Sequence, residues 1–157
     1  ELANVAAKPA DIAITSNGGY PLDQNIYQAV KGMSAAEATC RKGGVIIICA
    51  ACNDGHGGED FYEWFKKAES AQAVMDEIMA IEPQHTLPDQ WEAQILARIL
   101  IDHTVIMVTD QCDHSMITDM KMKVANTLPE AMKMAEEIVG KDASITVVPD
   151  GVSVIVK

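Results

Sequence analysis

The sequence predicts a three-layer α/β fold, in which a mainly parallel sheet is flanked by helices and followed by a C-terminal β-hairpin. Apolar runs typical of strands alternate along the chain with amphipathic segments typical of helices. The runs at 45–50 and 104–109 are continuously apolar, as in strands that are covered on both faces. The chain ends with two strand-like runs, 144–148 and 152–156, joined by Pro149-Asp150-Gly151, which is typical of a tight hairpin turn.

Length and composition predict a single acidic globular domain. The chain has 157 residues, enough for one core, and its apolar and charged fractions of 48% and 22% are ordinary for a globular protein. Residues 1–10 are predicted to form a tail or linker, and residues 11–157 one α/β domain. The formal net charge of −11 argues against nucleic acid or an anionic membrane as a partner, because both need a basic face. No apolar run approaches the length of a membrane span.

The first part of the chain is predicted to be a strand, a glycine turn and two short helices. The strand covers 11–16, and the first helix covers about 22–31. Pro21 suits the start of this helix and Gly32 its end. The segment Ser34-Ala35-Ala36-Glu37 is a capping box, which predicts that a separate short helix begins there.

Later helices are predicted from amphipathic stripes and capping residues. They cover about 59–67, 70–82, 90–101, 113–126 and 127–139. Ligands gather at the carboxyl ends of parallel strands, so three loops are expected at one edge of the sheet: 17–21, 52–58 and 110–114. Trp91 is expected at the same edge, because it lies in the first turn of a helix that precedes a parallel strand.

The first helix carries a candidate carboxylate site. Residues three and four apart share a helix face, so Lys31 neighbours both Tyr27 and Gln28. Gln24 is expected in the same row as Gln28 and Lys31. A cation beside a phenol and two amides can hold a small carboxylate, and the alternative is an ordinary solvated helix face. Lys31 lies about 13 Å along the helix from its start, at 1.5 Å per residue. The site is therefore expected along this helix, in a cleft against a second domain.

Two loops contain possible contributors to the same site. Gly18 and Gly19 either bring backbone close to a ligand or allow a positive φ in the turn. His56 is the best acid–base candidate by position, and the alternative is a histidine that stabilises its loop. Trp91 is either an aromatic wall of the site or part of the core.

The pair Cys49 and Cys52 fits a C-x-x-C pattern, which zinc sites and redox motifs share. Zinc would want further cysteine or histidine ligands nearby, and a redox motif should open a helix, whereas a loop follows here. Buried, reduced thiols are the favoured interpretation. They indicate a reducing compartment, and a cytoplasmic location is predicted.

The segment from Asn17 to Met33 reads Asn-Gly-Gly-Tyr-Pro-Leu-Asp-Gln-Asn-Ile-Tyr-Gln-Ala-Val-Lys-Gly-Met. It closely resembles the C-terminal domain of the nickel-dependent lactate racemase family. The resemblance continues through residues 43–47, 51–59 and 149–155, so it covers nearly the whole chain. It implies that this chain is the C-terminal domain of a longer, two-domain 2-hydroxyacid racemase or epimerase.

The resemblance also assigns roles. The family's motif Tyr-Gln-x-x-Lys matches Tyr27, Gln28 and Lys31, and its substrate-pocket tryptophan matches Trp91, which implies that these four bind substrate. It further implies racemisation by hydride transfer, with a nickel-pincer nucleotide and catalytic histidines held by an N-terminal domain. No catalytic residue and no metal ligand are therefore assigned to this chain. The implied partners are its own N-terminal domain and a small 2-hydroxycarboxylate.

Two other classes of function stay open at this point. One is a non-catalytic small-ligand-binding or interaction domain of the same fold. The other is a metal protein built on Cys49 and Cys52.

Overall fold

A parallel sheet of five strands forms the centre of the computed structural model, which describes residues 3–157. The strands in chain order are β1 (Asn4–Val5), β2 (Ala10–Ser16), β3 (Cys40–Cys49), β4 (Thr104–Val108), β5 (Lys123–Ala125), β6 (Ile145–Val148) and β7 (Ile155–Val156). The helices are α1 (Ile26–Glu37), α2 (Glu59–Lys66), α3 (Ala71–Met79), α4 (Gln90–Asp102), α5 (His114–Asp119) and α6 (Leu128–Val139), with a short 3-10 helix at Pro83–His85. The spatial order of the sheet is β5-β4-β3-β2-β6.

Helices cover the two faces of this sheet unequally. The larger core joins one face of the sheet to α1 through α5, and the smaller core joins the other face to α6. The central strands are buried on both sides, as their continuous apolar sequences require: Val45, Ile46, Ile47 and Ile48 of β3 are all fully buried. The predicted three-layer α/β class is confirmed.

The sheet face that packs against α6 is not covered by a helix at its β6 end. Strand β6 is an edge strand whose register sets Ile145 opposite Ile12 and Val147 opposite Ile14. Ile12 belongs to the core beneath α6, but Ile145 and Val147 are 49% and 58% exposed. We call the surface formed by Ile14, Ile145 and Val147 the open sheet face.

The predicted C-terminal hairpin is wrong, although both of its strands are present. Strand β6 pairs in parallel with β2, and β7 pairs in parallel with β1. The turn between them does not fold back on itself, because it crosses the carboxyl end of β2. There Asp150 forms a bridge with Asn17, and the Gly151 N–H donates to the Ser16 carbonyl at 2.8 Å. Pairing of β6 with β2 and of β7 with β1 satisfies the backbone groups that a hairpin would have paired.

The segment 1–10, predicted as a tail or linker, is structured in part. Strand β1 lies beside β7, the Ala7 N–H donates to the Lys157 carbonyl at 2.7 Å, and Ala10 already belongs to β2. These backbone bonds fix the start of the described chain against its end. Glu1 and Leu2 lie outside the described residues.

The predicted bounds of the first helix are also wrong at both ends. Helix α1 begins after its capping residue Asn25, whose side chain accepts from the Gln28 N–H at 2.9 Å, so Pro21 and Gln24 both lie before the helix. The helix continues through Gly32 to Glu37 and includes the segment predicted as a second helix. The Ser34 hydroxyl bonds back to the Val30 carbonyl at 3.2 Å instead of capping.

Gly32 lies within α1 because the helix passes very close to the end of β2. A Cβ on Gly32 would lie 2.2 Å from Asn17 Oδ1 and 3.2 Å from the Ser16 carbonyl oxygen. The glycine therefore permits contact between helix and strand, rather than ending the helix.

The predicted helix 113–126 is shorter in the structure and is followed by a strand. Helix α5 ends at Asp119, and Lys121 adopts a positive φ of 65°. The chain then reverses into β5, which pairs Lys123 with Ile106 and Ala125 with Val108. A strand of three residues is too short for its sequence to be distinguished from a helix end.

In the described part of the chain, no helix has both the length and the apolar character that crossing a membrane requires.

Replacing Gly32 with Ala should destabilise the chain by about 1–3 kcal/mol, because the new methyl group overlaps Asn17. Intrinsic helix propensity alone favours alanine by about 1 kcal/mol. The sign of the change in unfolding free energy therefore shows whether the overlap with Asn17 or the helix propensity is the larger effect. Denaturant unfolding of the 157-residue chain measures it, with Ser34→Ala in the same helix as a control expected to be nearly neutral. A Gly32→Ala variant more stable than the parent would contradict this packing.

Candidate active-site surface

The start of α1 is held by the loop that follows β3. The Ile26 N–H donates to the Gly55 carbonyl at 3.0 Å, and the Tyr27 N–H donates to the His56 carbonyl at 3.1 Å. The first N–H groups of a helix have no partner within the helix, so these two bonds satisfy them. They also fix where Tyr27 and the next turn of α1 stand at the carboxyl edge of the sheet.

Tyr27 and Trp91 lie together, although they belong to α1 and α4. Their ring centroids are 5.9 Å apart with an interplanar angle of 85°, and Tyr27 makes a second edge contact, at 5.3 Å, with the buried Phe61. Trp91 is 51% exposed, so it is not a core residue. The structure thus brings these two predicted site residues into contact and leaves an indole face available to a ligand.

Lys31 and Gln28 form the polar part of the same helix face. The two residues share a helix face, as their spacing of three predicts, and Lys31 Nζ donates to Gln28 Oε1 at 2.6 Å. Lys31 is exposed, and within residues 3–157 no carboxylate lies within salt-bridge distance of its ammonium group. An ammonium group has three donors, so Lys31 has N–H groups left for an anionic ligand.

A buried acid beside this face was not identified from the sequence. Glu92, adjacent to Trp91, is 1% exposed, and neither of its carboxylate oxygens has a hydrogen-bond partner. Burial raises the pKa of Glu92 to about 7; the charge of Lys31 opposes this shift and the charge of Asp89 adds to it. Burial and the negative charges of Asp89 and Glu92 likewise raise the pKa of Tyr27.

The sequence did contain a signal for Glu92. In the first turn of a helix a glutamate usually indicates favourable interaction with the helix dipole. However, Glu92 is four residues before Leu96 and seven before Ile99, both fully buried, so it lies on the core-facing stripe of α4. A glutamate on the apolar stripe of a helix therefore indicates a buried carboxyl group.

His56 is engaged in holding its own loop. Its Nδ1 accepts from the Gly58 N–H at 3.1 Å, and its ring stacks on Tyr62 with centroids 4.9 Å apart. Its Nε2 lies 3.4 Å from the Glu59 carboxylate. These contacts favour the interpretation that His56 stabilises the loop.

Gly18 and Gly19 form a left-handed turn, with φ values of 76° and 93°. A Cβ on Gly18 would lie 3.0 Å from a carboxylate oxygen of Asp150. The positive φ values of the turn account for glycine at both positions. The negative charge of Asp150 disfavours an anion at Gly18.

The cysteines do not form a reactive or metal-binding group. Cys40, Cys49, Cys52 and Cys112 are free, and burial raises the pKa of each thiol, which keeps it protonated and unreactive. Cys52 Sγ lies 3.8 Å from Met107 Sδ, in the core.

Nowhere in residues 3–157 do three side chains of the His, Cys, Asp or Glu type come close enough to hold a metal ion. The described residues therefore offer no cluster for an independently bound metal ion, and the nickel-pincer nucleotide that the resemblance implies is expected on the N-terminal domain. No reaction step through that cofactor is derived for them.

Comparison with known proteins identifies the family. Residues 5–156 match the family model described as the lactate racemase C-terminal domain. The chain is 64% identical to a lactate racemase of Thermoanaerobacterium thermosaccharolyticum and 54% identical to one of Lactiplantibacillus plantarum, in each case over its whole length. It also superposes on the solved lactate racemase apoprotein of the first organism with a TM-score of 0.98 and 64% identity.

The chain spans little more than a third of these relatives, 37% of each curated protein and 38% of the solved chain. The family match covers nearly all of the chain, and the structural match covers all of it. The chain therefore belongs to the lactate racemase C-terminal domain family.

Proposed function

We propose that this chain is the C-terminal domain of a 2-hydroxyacid racemase of the lactate type and supplies substrate-binding residues to a site between two domains. The observation that carries the proposal is the exposed Lys31 ammonium group, held by Gln28 and free of any carboxylate partner within residues 3–157. The relatives that the chain matches over its whole length are lactate racemases, which supports the same activity.

In this proposal Lys31 binds the substrate carboxylate. An ammonium–carboxylate hydrogen bond is about twice as strong as a neutral one and contributes about 1.5–3 kcal/mol. Gln28 restricts where the ammonium group points, because its amide oxygen already accepts one of the three N–H groups at 2.6 Å. Binding therefore places the carboxylate along α1.

Trp91 forms a flat apolar wall beside the carboxylate, and Tyr27 fixes the orientation of that wall. The Tyr27 ring contacts both the buried Phe61 and the exposed Trp91. Packing in the core therefore also restricts the position of the indole ring. A small 2-hydroxycarboxylate presents one charged end and one short carbon chain. The pair of a cation and an aromatic face suits that shape.

We assign the catalytic acid and base, and the nickel-pincer nucleotide, to an N-terminal domain in the longer protein. The hydride chemistry that the resemblance implies belongs there, and none of it is assigned to this chain. The open sheet face supports the presence of a further domain, because Ile145 and Val147 leave apolar surface that another layer can cover. Four free thiols are typical of a reducing compartment, and we propose a cytoplasmic location.

In the complete protein, Lys31→Ala should lower kcat/KM for lactate by about 10- to 150-fold, the factor that corresponds to one charge-assisted hydrogen bond. Steady-state kinetics and a thermal melt, measured on the same preparation, separate lost binding from lost folding. Lys133→Ala, on α6 across the sheet, removes the same charge from an exposed helix and should leave the kinetics unchanged. Near-normal kinetics of Lys31→Ala would eliminate the proposed role.

The 157-residue chain alone should fold cooperatively and should not racemise lactate. Folding is expected because strands, caps and helix stripes agree with one another and bury two cores. Inactivity is expected because deprotonation of a 2-hydroxyacid carbon needs an electron sink that a lysine or histidine cannot supply. A circular-dichroism melt and a chiral assay test both parts. Racemisation by the purified chain without added cofactor would show that the chemistry had been assigned to the wrong domain.

A further inference from the structure

A buried carboxyl group without a hydrogen-bond partner adjoins the proposed carboxylate site. Glu92 follows Trp91 in α4, is 1% exposed, and has two oxygens that are shielded from solvent and accept no hydrogen bond in the described chain. A buried ionised carboxylate is strongly destabilising unless a counter-charge or a proton compensates it. The surroundings of Glu92 therefore decide its protonation state.

Helices α1 and α4 pack against each other, and α1 supplies the compensating charge. Lys31 of α1 is the cation that acts on the Glu92 carboxyl, whereas Asp89, at the start of α4, acts on it as an anion. Tyr27 of α1 is a further titratable group beside it. Helices α2 and α3 and strands β3 and β4 also contact α4, and within residues 3–157 they place no charge that acts on this carboxyl.

The Lys31 ammonium group does not pair with Glu92 directly. Its observed bond is to Gln28, and it lies beyond salt-bridge distance of every described carboxylate, Glu92 included. The same ammonium group therefore compensates Glu92 through space and still has donors for a ligand. An anion that binds to Lys31 must weaken this compensation.

We propose, on the basis of the function proposed above, that Glu92 is a positioning residue that couples substrate binding to proton uptake. In the empty site the Lys31 ammonium group stabilises the ionised Glu92 carboxylate. When a substrate carboxylate binds to Lys31, the Glu92 carboxylate takes one proton from solvent and becomes a neutral carboxylic acid. The proton leaves when the substrate dissociates, so charge and protons balance over the cycle.

Electrostatics gives the direction of this coupling. A like charge nearby disfavours the ionised form of a carboxyl group, so substrate raises the pKa of Glu92 above its value in the empty site, which is already about 7. Below that pH Glu92 is protonated before substrate arrives, and binding needs no further proton. Above it each binding event must take up a proton, so affinity falls by up to about tenfold per pH unit.

The test is the pH dependence of KM for lactate in the complete enzyme, between about pH 6 and about pH 9. Three proteins are compared: the parent, Glu92→Gln, and Glu137→Gln as a control for the loss of one negative charge from α6, on the opposite face of the sheet. In the parent and the control, KM should rise as the pH passes about 7. In Glu92→Gln this rise should be absent, with kcat changed less than KM. An equal rise in all three proteins would overturn the proposal.

A second measurement does not depend on whether Glu92→Gln folds. Calorimetric titration of the parent enzyme with lactate, in two buffers of different ionisation enthalpy at about pH 8, reports the protons exchanged on binding. Net uptake is expected, and an absence of uptake would overturn the proposal. The function proposed above has its own test, the change in kcat/KM in Lys31→Ala. If kcat/KM falls in Lys31→Ala but KM still rises with pH in Glu92→Gln, the proposed role of Glu92 is wrong and the proposed function is retained.

Discussion

The contact between Asn17 and α1 is the constraint on which the rest of the site depends. Asn17 is fully buried at the end of β2, and its amide donates to the carbonyls of Leu22 and Gln28, both at 2.6 Å. These bonds fix the relative positions of the strand, the glycine turn and the first turns of α1. Gly32 permits the close approach, since any side chain there would overlap Asn17. The position of Lys31, the residue before Gly32, follows from this packing.

The distribution of charge around Lys31 determines which kind of ligand this surface favours. The protein carries a net charge of −11, yet an exposed ammonium group on α1 stands free of any carboxylate contact within residues 3–157. The acids near it act at a distance: Glu92 is buried on the apolar stripe of α4, and Asp89 lies at the start of that helix. A cation arranged in this way attracts an anionic ligand locally, while the negative surface of the protein opposes non-specific anion binding.

The sequence predicted those features that depend on local pattern. The alternation of apolar runs and amphipathic stripes predicts the three layers, and the spacing of Gln28 and Lys31 predicts that they are neighbours on one helix face. Features that depend on distant contacts were missed. Strand β5 exists because β4 offers it backbone partners, and β7 pairs with β1 from the other end of the chain. Gly32 looks like a helix end until the position of Asn17 is known. The burial of Glu92 likewise depends on how α4 packs against α1.

The central claim is that this domain contributes one wall of a shared substrate site, with Lys31 as its anion-binding group. A crystal structure of the complete, cofactor-loaded protein with bound lactate tests it most directly. We expect the lactate carboxylate within about 2.7–3.2 Å of Lys31 Nζ, with Gln28 still bonded to the lysine and the Trp91 ring against the substrate. A lactate carboxylate held by other groups, with Lys31 bonded only to Gln28, would contradict the account.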